Sequence, residues 1–315
     1  MPSEITIESL DVVCDVVEAL EPAYGSAVPM LRRAGRQDMV RLTTVVLENE
    51  YLQAIFAPSL GGRLVSLLDK RTGVEAVPKP KTLVLAGEDS LELDCGIEWL
   101  PVGFDRRHNL GWVHYEAVEA DDPDDPAVLR LYSAAVGAPF VWWAEFALVP
   151  GSARLEVQIS NQNRGGRQVR GISGVRWAAT GSKWLIGEGA ALVFQQDRRS
   201  GLHYAYEPGT FERTGADRTG AVLLRRGDSA PALSPRQVDS IRFTVAPVTA
   251  MDGPVSVSSQ GALGLTHDRL SLQTIVPTEG KVFLLLSSGQ TVEATVLAGQ
   301  GTPWYAELSG EMRGP

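Results

Sequence analysis

The sequence predicts an all-β protein built of large antiparallel sheets. Three observations predict it: short runs of alternating apolar and polar residues recur along most of the chain, turn signals of a few residues separate them, and no helical pattern alternates between them. A parallel sheet needs crossover helices between its strands, so stacked antiparallel sheets remain as the architecture.

The elements follow in chain order. Ile7, Leu10, Cys14, Val17 and Leu20 fall three or four residues apart and predict the one helix, over Ile7–Leu20. Period-2 runs then predict strands at Met39–Leu47, Tyr51–Ala57, Arg63–Asp69, Trp112–Val118, Val128–Ala134, Val141–Val149 and Ala153–Asn161. Further strands are predicted at Val169–Ala178, Ala190–Gln195, Ile241–Ala246, Leu270–Val276, Lys281–Ser287, Thr291–Leu297 and Trp304–Ser309. In Ala153–Asn161, Leu155, Val157 and Ile159 take one face while Glu156, Gln158 and Ser160 take the other. Turn signals lie between the runs, including Pro58–Gly62, Thr72–Gly73, Asp121–Pro126, Pro150–Gly151 and Asn163–Gly166. Gly209–Ala232 is the longest patternless stretch and reads as a long loop. No fixed repeat period occurs, which disfavours a propeller. The expected organisation is one domain over residues 1–315, with 1–36 as an N-terminal extension or the first elements.

Composition excludes several functions. With 315 residues, 44% of them hydrophobic, the chain can bury a large core. Its 38 acidic against 29 basic residues give a formal charge of -9, which opposes nucleic-acid or membrane-surface binding. The longest apolar runs, such as Val282–Leu286, are far shorter than the roughly 18 residues of a membrane span. Met1–Glu4 offers no basic segment followed by an apolar one, so a secretory signal is not expected and the cytoplasm is the expected compartment. Cys14 and Cys95 are too far apart in sequence for a metal motif and read as small core residues.

Familiar catalytic signatures are missing. The chain has no phosphate-binding loop, no strand-GxGxxG-helix unit, no HExxH and no GxSxG, which sets aside ATPases, dinucleotide oxidoreductases, zinc proteases and α/β-hydrolases. Three segments instead carry a resemblance. Glu48–Gly73, ENEYLQAIFAPSLGGRLVSLLDKRTG, resembles the opening strands of galactose mutarotase-like (aldose 1-epimerase-like) domains. Cys95–Phe104, CGIEWLPVGF, followed by Arg107–Trp112, RHNLGW, resembles a stretch of the sugar-phosphate epimerase branch and its bacterial relatives. Val282–Val296, VFLLLSSGQTVEATV, is similar to the closing strand pair. The resemblance implies a β-supersandwich with few short helices, and places His108 in the sugar site. It departs at the general base: where the family carries a glutamate before the closing pair, Ser271–Thr274 has Gln273. An amide accepts no proton at working pH, which favours a noncatalytic relative.

Each candidate side chain has a functional and a structural reading. Glu98, between Ile97 and Trp99, could serve as a general acid or base in a partly desolvated segment, or as a salt-bridged strand glutamate. His108 could donate a proton near neutral pH, or be a solvated loop residue beside Arg106 and Arg107. Arg63 and Arg176 lie among apolar neighbours, where a guanidinium could hold sugar hydroxyls or an anion, or tie strands together. Trp99 and Trp177 could stack on a pyranose or belong to the core. His203 could form a rim near the long loop.

The expected ligand is a sugar or sugar derivative, with no nucleic acid, membrane, metal or redox cofactor involved, and the chain as a monomer or homodimer. The expected chemistry is acid-base anomerisation or epimerisation. A noncatalytic sugar-binding module, or a lyase or glycoside-cleaving enzyme on the same scaffold, stand as alternatives.

Overall fold

The computed structural model describes residues 2–20, 30–80, 82–83, 95–100, 113–133, 140–169, 174–177, 182–211, 213–216, 222–225, 232–285, 291–299, 301 and 303–308. These residues form an all-β fold of four sheets. A ten-stranded sheet runs Arg213–Ala216, Val222–Arg225, Gly174–Trp177, Ile97–Leu100, Arg63–Asp69, Leu52–Ala57, Met30–Glu48, Glu4–Leu20 and Thr82–Leu83, with Val74–Val77 paired to Arg63–Asp69. An eight-stranded sheet runs Lys183–Gly187, Ala190–Gln195, Ser200–Tyr206, Val238–Thr249, Leu155–Asn163, Phe140–Leu148, Ala127–Ser133 and His114–Val118. A four-stranded sheet (Pro254–Ser258, Gly261–Leu265, Arg269–Thr274, Trp304–Glu307) and a hairpin of Thr278–Leu285 with Thr291–Ala298 complete the described part.

The main core lies between the two large sheets. Leu64, Leu67, Ile97, Trp99, Val175 and Trp177 from the ten-stranded sheet pack with Leu129, Phe146, Val157, Ile159 and Phe243 from the eight-stranded one. Ring centroids across the interface stand 4.6 Å apart for Phe56 and Phe146 and 4.8 Å for Trp99 and Phe146. Alternation decides which side chains reach this layer: Phe140–Leu148 reads buried and half-buried in strict turn, sending Trp142 inward and Trp143 outward. A second, smaller cluster of Leu192, Phe194, Val248 and Met251 with Val257 and Ala262 joins the four-stranded sheet to the eight-stranded one.

Two expectations are corrected. Ile7–Leu20 is not a helix: it lies within the strand Glu4–Leu20, paired antiparallel with Met30–Glu48 from Glu4↔Glu48 to Leu20↔Met30. Its β-branched residues Ile5, Ile7, Val12, Val13, Val16 and Val17 favour extended backbone, and the long partner strand supplies a ladder that outweighs a weak 3.6-residue period. The N-terminal residues are thus the first strands of the large sheet. Gly209–Ala232 is not patternless loop throughout, since it contributes the paired strands Arg213–Ala216 and Val222–Arg225. Arg63–Asp69 and Ala190–Gln195 match observed strands to the residue, whereas Met39–Leu47 is only the second half of Met30–Glu48 and Val169–Ala178 contributes the strand Gly174–Trp177 among the described residues. The turn after Leu52–Ala57 is a short 3-10 segment, Pro58–Leu60, closed by Gly61 and Gly62 at φ of 69° and 74°, the left-handed region where glycine is unstrained.

Candidate functional site

Three of the site candidates, Glu98, Arg63 and Arg176, converge on the outer face of the ten-stranded sheet. On Ile97–Leu100, Ile97 and Trp99 point into the main core, so Glu98 between them points the other way. Val175 and Trp177 likewise face the core and put Arg176 outward, directly opposite Glu98 in the strand register. Arg63 shares the outer side with Val65, which packs in a separate outer cluster with Val46, Ile55 and Ala57.

Three charges meet there. Glu98 Oε2 accepts from Arg63 Nη2 at 3.3 Å and from Arg176 Nη1 at 3.4 Å. Arg63 Nη1 also donates to the Cys95 carbonyl at 2.8 Å. All three residues are buried, at 1% exposure for the arginines and 5% for Glu98. Both guanidiniums act on one carboxylate oxygen, and Glu98 Oε1 is left buried without a hydrogen-bond partner, as is Arg63 Nε. An unsatisfied buried oxygen of this kind costs about 1–3 kcal/mol or more. The cluster is shaped by Gly96, whose φ of 65° only glycine adopts without strain and where an added Cβ would sit 2.3 Å from the Leu64 carbonyl and 3.2 Å from Arg63 Cγ. Cys95 is buried nearby with Val12 and Leu42, as expected of a small core residue.

The other candidates lie elsewhere. Trp99 and Trp177 are 2% exposed within the main core, and the Trp99 indole donates to the Gly62 carbonyl at 3.0 Å, so neither ring offers a face to solvent. Gln273 sits on Arg269–Thr274 of the four-stranded sheet, and its amide is fully engaged: Oε1 accepts from Thr249 N at 3.0 Å, while Nε2 donates to the carbonyls of Pro247 at 3.2 Å and Gly301 at 2.7 Å. That geometry joins two sheets and the turn before Trp304–Glu307. His203 is fully buried on the eight-stranded sheet, its Nε2–H donating to the Ser258 carbonyl at 2.7 Å and its Nδ1 without a partner. Burial holds its imidazole below the usual range, with the Ser258 bond acting in the opposite direction. His108 lies outside the described residues. Among the described residues, no group of three His, Cys, Asp or Glu side chains is placed to hold a metal ion, and no helix is long and apolar enough to cross a membrane.

No protein-family model matches the chain, and no curated protein matches it. Solved structures do. A TPR-domain containing protein from Parabacteroides distasonis is similar over 77% of this chain at 15% identity and a TM-score of 0.60. The chain spans 55% of the length of that protein. A galactose mutarotase-like protein from Clostridium acetobutylicum is similar over 65% of this chain and 95% of its own, at 11% identity and a TM-score of 0.47. A galactose mutarotase related enzyme from Lactobacillus acidophilus is similar over 65% and 97%, at 10% identity and a TM-score of 0.44. These and other structural neighbours carry galactose mutarotase-like or putative aldose 1-epimerase descriptions, at TM-scores of 0.38–0.47 and 10–11% identity.

Proposed function

We propose that the chain binds a sugar or sugar derivative at the Arg63–Glu98–Arg176 cluster and acts on it by acid-base anomerisation. The observation that carries this reading is the buried Glu98 carboxylate, with two guanidiniums on one oxygen and the other left as an acceptor. Folding alone gains little from such an arrangement, because burying charges is costly and well-packed apolar residues serve a sheet as well or better. A ligand hydroxyl would satisfy Oε1, and the guanidiniums supply donors for neighbouring oxygens. In the proposed reaction Glu98 takes the anomeric hydroxyl proton while His108 protonates the ring oxygen. The C1–ring-oxygen bond breaks, and reclosure on the other face of C1 returns both protons.

A noncatalytic binding module is the second reading, favoured by the three backbone hydrogen bonds that commit Gln273 to a structural role. Polarimetry of freshly dissolved glucose, galactose and sugar phosphates separates the two. Faster decay of rotation for at least one sugar, lost in Glu98→Gln, is expected of the enzyme. A rate unaffected by the protein across the panel would rule out the catalytic form.

A further inference from the structure

The outer face of the eight-stranded sheet carries an open cleft of about 1210 Å³, walled by Val257–Gln260 and Ile275–Val276 from the four-stranded sheet and its exit, and ended by Glu188 and Glu207. A pocket for one drug-sized ligand occupies about 300–1,000 Å³, so this cleft suits an extended molecule.

Two parallel rows of side chains cross this face, and Glu145, Gln158 and Arg242 of the first line the cleft together with the whole of the second. In the first, residues in direct register across five strands form a continuous polar ladder: Glu116, Arg130, Glu145, Gln158 and Arg242. Arg130 bonds Glu116 at 3.0 Å and Glu145 at 2.8 Å, Gln158 Nε2 donates to Glu145 at 3.3 Å, and Arg242 Nε donates to Gln158 Oε1 at 2.6 Å. Each member is held by its neighbour, so the row is pre-ordered and little side-chain entropy is lost on binding. The second row, two residues along each strand and so roughly 7 Å away, is small and mostly apolar, with Val128, Ala147 and Ala205 beside Glu156 and Thr244.

The floor keeps some hydrogen-bonding capacity unused. Arg242 commits only its Nε, leaving both terminal nitrogens of an exposed guanidinium free of partners among the described residues. The charged lining is four carboxylates, Glu145, Glu156, Glu188 and Glu207, against two guanidiniums, Arg154 and Arg242, which repels anions. A fixed row of planar donors and acceptors beside an apolar step matches a chain of rings that has hydroxyls at its edges and C–H faces between. With strands about 4.8 Å apart, the five strands under the cleft span about 19 Å, room for several such rings.

We propose that this cleft binds a neutral oligosaccharide laid across the strands, its hydroxyls on Arg242 and its apolar ring faces over Ala147 and Ala205. The site is on a different sheet from Glu98 and does not depend on the function proposed there.

The test is calorimetric titration of the full chain with three neutral hexasaccharides (cellohexaose, laminarihexaose and maltohexaose) and with hexagalacturonate as the anionic counterpart. At least one neutral hexasaccharide should bind saturably and hexagalacturonate more weakly. Arg242→Ala, which removes a two-nitrogen donor, should weaken binding about tenfold. Ala147→Trp, which fills the floor without deleting a hydrogen bond, should abolish it, and Glu98→Gln should leave it unchanged. Thermal melts check that each variant is folded. No binding of any neutral hexasaccharide at millimolar concentration, full binding by Ala147→Trp, or preference for hexagalacturonate would overturn the proposal.

Discussion

Glu98 and Arg176 stand directly opposite each other in the antiparallel register of Ile97–Leu100 and Gly174–Trp177, and their side chains meet at 3.4 Å on the outer face of the sheet. Arg63 closes the cluster from the next strand at 3.3 Å. Strand pairing puts Glu98 and Arg176 opposite each other, and burial on the sheet leaves their side chains little alternative to this contact.

Removing the carboxylate should be costly. Glu98→Ala leaves two buried guanidiniums facing each other and is expected to destabilise the fold by about 3–5 kcal/mol. Glu98→Gln keeps an acceptor for them and should lose less. Urea midpoints of the two variants measure the difference, and equal losses would contradict the charge pairing described.

Gly96 should tolerate no side chain. In Gly96→Ala the new Cβ meets the Leu64 carbonyl at 2.3 Å and presses on Arg63, at a φ of 65° that disfavours any L residue. The left-handed backbone alone costs about 1–2 kcal/mol, and the carbonyl clash adds to it. Thermal melting should fall by several degrees, as should sugar binding at the cluster, whereas Gly73→Ala, at a similar φ with open space around it, should lose only the backbone part.

Placing a glutamate at position 273 should fail to create a working base. The Gln273 amide nitrogen donates to the Pro247 and Gly301 carbonyls, and a carboxylate in Gln273→Glu would place an oxygen against both. Each buried carbonyl left unpaired costs about 1–3 kcal/mol. The variant is expected to melt lower without any gain in polarimetric rate. A gain at unchanged stability would place Gln273 in the reacting site.

Stability should fall on the acid side through His203. Its folded pKa is depressed by burial, whereas an unfolded histidine titrates near 6.5. The unfolded chain therefore binds the extra proton first, so this contribution is complete above about pH 6.5 and is lost as the pH drops below it. Urea midpoints at about pH 7.5 and 5.5 should show a larger drop for the native chain than for His203→Gln, whose amide can still donate to the Ser258 carbonyl. Equal drops would remove His203 as the cause.

The sequence carried the strands well because burial on one face leaves a period of two, as in Leu155, Val157 and Ile159. It misread Ile7–Leu20 because an exposed long hairpin leaves only a ragged apolar pattern: Ile7 is 61% exposed while Val12 is 1%. Glu98, Arg63 and Arg176 were legible singly, as charges flanked by apolar neighbours. Their meeting depends on strand order, which places Gly174–Trp177 beside Ile97–Leu100 across more than seventy residues of chain. Trp99 and Trp177 were ambiguous because an indole suits a core and a sugar face equally. The ladder from Glu116 to Arg242 was invisible for the same reason as the cluster, since register across five strands cannot be read from spacing.

The most direct measurement of the central claim is ligand-dependent thermal stabilisation by glucose, galactose, glucuronate and glucose 6-phosphate, in the native chain, in Glu98→Gln and in Ala147→Trp. At least one of the four should raise the melting temperature of the native chain and of Ala147→Trp, and the shift should vanish in a folded Glu98→Gln. The same shift in Glu98→Gln, or none in the native chain, would contradict the assignment of Arg63, Glu98 and Arg176 as the sugar site.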